Sequence, residues 1–344
     1  MRTIGKTLQI AFTYIGTVVG AGFATGQEIL QFFTRYGWWA AATIAAASIL
    51  FIWLGTKLML MSHDIGAASY EDFNKHLFGE AWGRRISTVS MFLIFGVSSV
   101  MLAGAGSVFE EHLHISYQTG LAVTLVLAYL VLSNGMRGIL AVNSLVVPVM
   151  LSFTCIVVAH TLQSPARSNW LELSGDFSLA QIWTSPLLYA AFNLSMAQAV
   201  LVPLGSSVTD RRPLLWGGIL GGIGVGAMLL AGHFALSAQM PGITQFDIPM
   251  GHLISGLGMT VQLIYIVIIY AEIFTTFLAD VYGIMIQISQ RSSLHSQWIL
   301  LLILGLCYLV SQAGFTFLLS TLYPLFGAIS IAWLGMMIWR RRIA

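Results

Sequence analysis

Two stretches place acids and hydroxyls where apolar chain surrounds them. Glu28 stands in GTVVGAGFATGQEILQFF (16–33), together with Gly20, Gly22 and Gly26, and Glu272 stands in YAEIFTTFLADVYG (270–283), with Thr275, Thr276 and Asp280. An acid in so apolar a setting is costly and marks an ion or solute path by default. Glycines let a backbone leave the helix. A break of that kind exposes carbonyls at the end of one half-helix and N–H groups at the start of the next, which suit cations and anionic groups respectively. Thr25-Gly26-Gln27-Glu28 fits a capping box, so the helix is expected to restart there without water. Glu28 is then a capping residue, a proton carrier or a substrate contact. If it offsets the positive end of its half-helix, an amine-bearing or zwitterionic solute gains over a purely anionic one.

In the second stretch, Glu272, Thr276 and Asp280 share one helical face at a spacing of four, with Thr275 beside them. Two adjacent hydroxyls near a carbonyl-rich break can complete a sodium site of oxygen ligands, while Glu272 supplies charge or takes up a proton. The other reading has the threonines bonding back to their own helix; Asp280 is expected to reach the cytoplasmic interface. His233 reads as a satisfied packing residue, and the glycines of GGILGGIGVG (217–226) as a close helix contact. Tyr189, Phe192, Phe23 and Phe95 are candidates to shape an apolar pocket. No nucleophile with its base, zinc motif or nucleotide loop occurs, so an enzyme is not expected, and no cofactor beyond a coupling ion.

The elements that would position these groups are membrane helices. The chain of 344 residues is 57% hydrophobic and 8% charged, with a mean hydropathy of +0.85; a soluble surface cannot be covered with so little charge. Apolar segments of about 20 residues recur from end to end, and the alternating pattern of a β-barrel is absent. They predict ten spans at 8–35, 38–61, 87–109, 117–133, 138–161, 179–205, 213–238, 256–288, 297–311 and 316–339, forming a single transmembrane domain over 1–344. With the first residue inside, all but two of the 15 Lys and Arg (Arg35 and Arg167) fall in cytoplasmic segments, as the positive-inside rule asks. Both termini are then cytoplasmic, the protein lies in the lipid bilayer of the plasma (bacterial inner) membrane, and no basic patch is left for nucleic acid. Arg2 and Lys6 ahead of an apolar run imitate a signal peptide, but the glycines and Glu28 favour a retained first span. Cys155 and Cys307 sit inside spans and read as small apolar packers. The segment Ser69 to Arg85 is expected along the cytoplasmic interface, and the segment from Pro241 as an external cap.

Ten spans with both ends inside divide into halves of five (about 7–162 and 178–340), and an odd number per half turns the second half over. Such an inverted repeat predicts that the first span of each half is broken at matching depth. The sixth span carries PLLYAAFNLSMAQAVLVPLG (186–205), where Asn193 and Ser195 interrupt an apolar run between two prolines, and Ser195-Met196-Ala197-Gln198 repeats the capping-box pattern. Breaks in the first and sixth spans would meet near the midplane.

VVGAGFATGQEILQFFTRYG and LLYAAFNLSMAQAVLVPLG together resemble the YkvI-like family of bacterial membrane proteins, grouped with the amino acid/polyamine/organocation superfamily. The resemblance covers nearly the whole chain. It implies the LeuT-type fold, five plus five inverted helices with a central site between helices 1, 3, 6 and 8. In sodium-coupled relatives of that fold, one sodium is held by carbonyls before the break and by two hydroxyls on helix 8, corresponding here to Gly16 and Val19 with Thr275 and Thr276. Helix 5 has no lysine of the kind that replaces this sodium in proton-coupled relatives, and Thr17 stands where an asparagine would serve a second ion. The resemblance places substrate polar groups on Gly22, Phe23, Ala24, Thr25 and Gly26 and on Ala191, Phe192 and Asn193, beside Glu28.

The expected function is a secondary active transporter of a small amine-bearing solute such as an amino acid, driven by sodium through alternating access. Proton coupling through Glu28 or Glu272, and a ligand-sensing receptor of the same fold, are the alternatives.

Overall fold

The computed structural model describes residues 2–172, 177–245, 249–255, 258–313 and 330–339, and among them there are helices and turns and no strand. The chain opens with α1 (Arg2–Val18), α2 (Ala21–Ala24) and α3 (Gln27–Phe32). It continues through α4 (Trp39–Leu50), a π-helical turn (Phe51–Gly55), α5 (Thr56–Ile65) and α6 (Tyr70–Phe78). Next come α7 (Glu80–Leu113), α8 (Tyr117–Leu132), α9 (Met136–Thr161), α10 (Asn169–Glu172), α11 (Leu179–Ser207) and α12 (Arg211–Ser237). The remainder is α13 (Pro249–Ser255), α14 (Met259–Arg291), α15 (Ser296–Ser311) and α16 (Ser330–Trp339). Among the described residues, six helices are long and apolar enough to cross a membrane: α4 through α5, α7, α9, α11, α12 and α14. Nine of the ten expected spans fall on described helices; the tenth, 316–339, is described only from Ser330, and Arg340 to Arg342 lie outside the described residues.

Helix α1 runs between α12 and α9, and the reason is the glycine stripe of α12. A β-carbon at Gly217 would strike Ile10, one at Gly221 would strike Tyr14 and one at Gly224 would strike Ile15. Gly218 and Gly222 face Thr56 and Ile52 on the other side in the same way. Without a hydrophobic driving force between helices in lipid, close backbone approach supplies the packing energy. The Tyr14 hydroxyl, fully buried, donates to Phe51 O at 2.7 Å in the π-helical turn, so the first and second spans are locked at that depth.

The segment after α5, expected along the cytoplasmic interface, forms α6, with the capping box of Ser69 and Asp72 at its start. It packs on α7 and reaches α16, where Trp333 Nε1 donates to Asn74 Oδ1 at 3.0 Å. Lys57 Nζ donates to Met337 O at 2.7 Å and Ile338 O at 3.4 Å. A cation at a helix C-terminus satisfies carbonyls that have no helical partner.

The first span is broken as expected, and the sixth is not. Helix α11 continues without interruption from Leu179 to Ser207, through both Asn193 and Ser195. Its capping box lies at its outset, on Ser178 and Gln181, while Ser195 and Gln198 sit in mid-helix. Asn193 Nδ2 donates to Tyr189 O at 3.0 Å, back into its own helix. Where water is absent, intrahelical bonds are the cheapest way to satisfy the backbone, and polar residues alone do not outweigh them. Glycine makes the difference: the first span has three near its break, and the stretch 186–204 of α11 has none.

Candidate functional site

Helix α1 ends at Val18, and the four residues from Gly20 close a short turn in which Phe23 and Ala24 N–H both donate to Gly20 O at 3.0 Å. The carbonyls of Gly16, Thr17 and Val18 therefore end a helix inside the bundle. Gly26, with φ 84, is in the left-handed region that glycine alone enters without strain, and it starts α3. The expected capping box on Thr25 and Glu28 does not form. Gly26 holds the capping position with no side-chain cap, and the Thr25 hydroxyl instead donates to Gly22 O at 3.1 Å and accepts the Gln27 N–H at 3.5 Å. The reason is Gly26 itself: its left-handed turn re-aims the chain after Thr25. The Glu28 side chain folds back, so that a β-carbon on Gly22 would collide with its carboxyl.

Four buried oxygens around this break have no hydrogen-bond partner: Glu28 Oε2, Glu272 Oε2, Thr276 Oγ1 and Asn143 Oδ1. Thr276 Oγ1 lies 3.2 Å from the point where a β-carbon on Gly20 would stand, so the hydroxyl aims at the break. Thr275 differs, donating to Glu272 O of its own helix at 3.0 Å. Asn143, on α9, donates through Nδ2 to Ile139 O at 3.0 Å and turns Oδ1 against Gly16. Glu272 lies within electrostatic reach of Glu28, and the Tyr189 hydroxyl lies beside Glu28. An unpartnered buried polar atom costs about 1–3 kcal/mol. A fold that carries four along one broken segment keeps them for something that binds.

Above the break is a cavity of about 50 Å³, room for a few water-sized groups. Its walls come from α2, α9, α12, α13 and α14, including Phe23, Ala24, Phe153, Tyr265 and Glu272. Tyr265 donates to Ala24 O at 3.2 Å and stacks on Phe153 with ring centroids 5.7 Å apart. The Met250 N–H donates to Thr25 O at 3.0 Å, so α13 covers the broken segment.

The structure therefore brings Gly16, Val19, Gly22, Phe23, Ala24, Thr25, Gly26, Glu28, Glu272 and Thr276 to one region, with Thr275 facing its own helix. Ala191, Phe192 and Asn193 lie on unbroken α11 and outside the cavity lining, as does Tyr189 of the same helix; Phe95, on α7, is outside the lining too. The described cavity lies among the first, fifth, seventh and eighth spans. His233 is a packing residue as expected, its ring nitrogens 3.2 Å from Thr34 Oγ1 and 3.3 Å from Trp170 O. Asp280 is 3% exposed and lies within electrostatic reach of Tyr70 at the start of α6. Sequence reasoning missed Asn143, Tyr265 and Met250. An asparagine and a tyrosine inside apolar helices are a signal that was available; a backbone N–H in a loop helix leaves none.

A bundle of apolar helices with a glycine break in its first span, buried acids beside it and a small cavity defines a polytopic membrane protein. No family model matches the chain. It is 39% identical over 341 residues to "Uncharacterized membrane protein YkvI" of Bacillus subtilis (strain 168), covering 98% of this chain and 96% of that protein. It is 23% identical over 318 residues to "Uncharacterized protein YyaD" of the same organism, covering 92% of this chain and 91% of that protein. The chain belongs to the YkvI family of membrane proteins. Among solved structures, its fold is similar to that of a Na+-coupled sialic acid symporter in a substrate-bound outward-open state, with a TM-score of 0.66 over 96% of this chain and 78% of that one at 11% identity. At that identity the likeness is one of fold.

Proposed function

We propose that the protein is a secondary active transporter, a sodium-coupled symporter of a small amine-bearing organic solute such as an amino acid, working by alternating access in the plasma membrane. In this reading the chain has the LeuT-type arrangement of the amino acid/polyamine/organocation superfamily, ten spans as five plus five with both termini cytoplasmic. The observation that carries it is the Thr276 hydroxyl, buried, unpartnered and aimed at Gly20 where α1 ends. Sodium is held there by carbonyls of Gly16 and Val19 with the oxygen of Thr276 as the leading side-chain ligand and that of Thr275, whose hydroxyl is turned to Glu272 O, as a minor one, and the solute by the segment Gly22 to Gly26 with Glu28. The sodium coupling of the fold neighbour supports the reading. The sixth-span contribution at Ala191 to Asn193 is dropped, because unbroken α11 offers no bare peptide groups there.

Purified protein in liposomes tests this. An inward sodium gradient drives accumulation of a labelled amino acid from a mixed panel, and Thr276→Ala raises the sodium concentration that uptake requires. Accumulation that ignores sodium in the parent protein would overturn the ion assignment. Proton coupling is the second reading, favoured by the partnerless oxygens of Glu28 and Glu272; there a pH gradient replaces sodium and Glu28→Gln or Glu272→Gln abolishes uptake.

A further inference from the structure

Helix α7 starts with two adjacent arginines that the fold treats differently. Arg84 pairs with Glu80 Oε1 at 3.2 Å. Among the described residues Arg85 makes no ion pair or hydrogen bond, and its guanidinium lies over the Trp82 ring, 5.2 Å from the centroid. Trp82 is itself 63% exposed. The cause is the packing of α6. Gly83 and Ser87 face it: a β-carbon on Gly83 would strike the Lys75 backbone, and Ser87 Oγ accepts from Asn74 Nδ2 at 3.0 Å. The other side of α7 is left open, and Trp82, Arg85, Val89 and Phe92 follow one another along it at spacings of three and four. Phe92 is 65% exposed, whereas from 93 to 109 no residue of α7 is exposed. The open stripe from Trp82 to Phe92 therefore rises about 15 Å, half of a hydrocarbon core of ~30 Å.

We propose that this stripe is the seat of one anionic glycerophospholipid, with its phosphate on Arg85 and the Trp82 indole N–H and an acyl chain along Val89 and Phe92. A spare guanidinium offers several N–H donors in the fork that suits phosphate oxygens. An indole belongs at the depth of the headgroups, and the apolar residues continue from it into the core on the same face. The height of the stripe selects the occupant. One leaflet's acyl chain fills it, whereas a membrane helix of a second copy would need an open face along the whole span. A phosphatidylcholine head carries its own cation, which would stand against Arg84 and Arg85 and offset the gain at the phosphate. Free phosphate would meet an exposed guanidinium with nothing to hold it at that depth.

The site is independent of whether the protein transports. Native mass spectrometry of the full-length protein reads it, with titrations of dioleoyl phosphatidylglycerol, dioleoyl phosphatidylcholine and glycerol 3-phosphate. The first phosphatidylglycerol binds at least about fivefold more tightly than phosphatidylcholine, and glycerol 3-phosphate is not retained. Arg85→Gln weakens phosphatidylglycerol roughly fivefold and Trp82→Leu about two- to fivefold. Arg212→Gln, at an exposed arginine near the start of α12 with no ring stacked on it, leaves the affinity unchanged. If Arg85→Gln does not fold, Trp82→Leu and Phe92→Ala decide by the same comparison. Equal affinity for the two lipids makes the stripe a plain interfacial anchor and overturns the proposal. So does binding indifferent to Arg85→Gln and Trp82→Leu, an equal loss with Arg212→Gln, retention of glycerol 3-phosphate, or a dimer that Arg85→Gln dissolves.

Discussion

Glu71 and Glu272 are both 3% exposed, and they are held in opposite ways. Glu71, on α6, accepts from Arg291 Nε at 2.6 Å, Lys75 Nζ at 3.2 Å and Gln287 Nε2 at 3.3 Å. Burial would push its carboxyl up, but these donors outweigh burial and hold it below the ordinary 4.5. Glu272 keeps an oxygen with no partner, as do Glu28 across from it and Thr276 one turn on. The first acid ties α6 to the end of α14 and is a structural joint. The second pair costs stability where it stands, which is the mark of a site whose partner arrives from outside. Burial of an acid thus says little by itself; whether its lone pairs are used is what separates scaffold from site.

The comparison breaks or sharpens with a graded set of variants. Glu71→Ala leaves Arg291 without its anion, while Lys75 keeps Glu80 at 3.2 Å, and lowers stability by about 2 kcal/mol, below the value for a sealed pair because both cations keep some exposure. Denaturation in detergent reads it, and a loss under about 0.5 kcal/mol would make the joint decorative. Thr276→Ala is expected to raise the sodium concentration for half-maximal uptake by roughly tenfold, about 1.4 kcal/mol, with little change in melting. Unaltered sodium dependence would leave the free hydroxyl unexplained.

Acid gives a smaller effect of defined sign. With the folded Glu71 carboxyl held below 4.5, its contribution is complete above that pH and is lost as pH falls through the lower folded value. Melting temperature should therefore decline below pH 4.5 in the parent and less steeply in Glu71→Ala; parallel curves would contradict the pairing. Glu28→Gln removes an unmatched acid and should alter stability by no more than about 0.5 kcal/mol, whereas a Glu71-like loss would mean Glu28 also braces the fold. Smallest of all, Thr275→Ala gives up a back-bond to Glu272 O and should shift sodium dependence by under about twofold.

Much of this was readable from residues. The glycines of the first span announced a break, and the structure breaks there, with Gly26 in the one conformation that other residues avoid. The glycines of α12 announced a helix contact, and Tyr14 and Ile10 fill it. Asn193 and Ser195 announced a second break and misled, because a polar side chain can bond to its own helix and leave the backbone whole. Thr25 and Glu28 had the right spacing for a cap and the wrong turn between them.

Composition and loop charge sufficed to put this chain in a bilayer and to find where helices run, since lipid demands apolar length and internally satisfied backbone whatever the neighbours are. Which acid meets cations and which meets a cavity, which of two adjacent threonines turns away from its own helix, and whether a polar stretch opens or stays helical were left to packing. Those outcomes depend on atoms hundreds of residues away, such as Arg291 against Glu71 and Thr276 against Gly20, and no local pattern carries them.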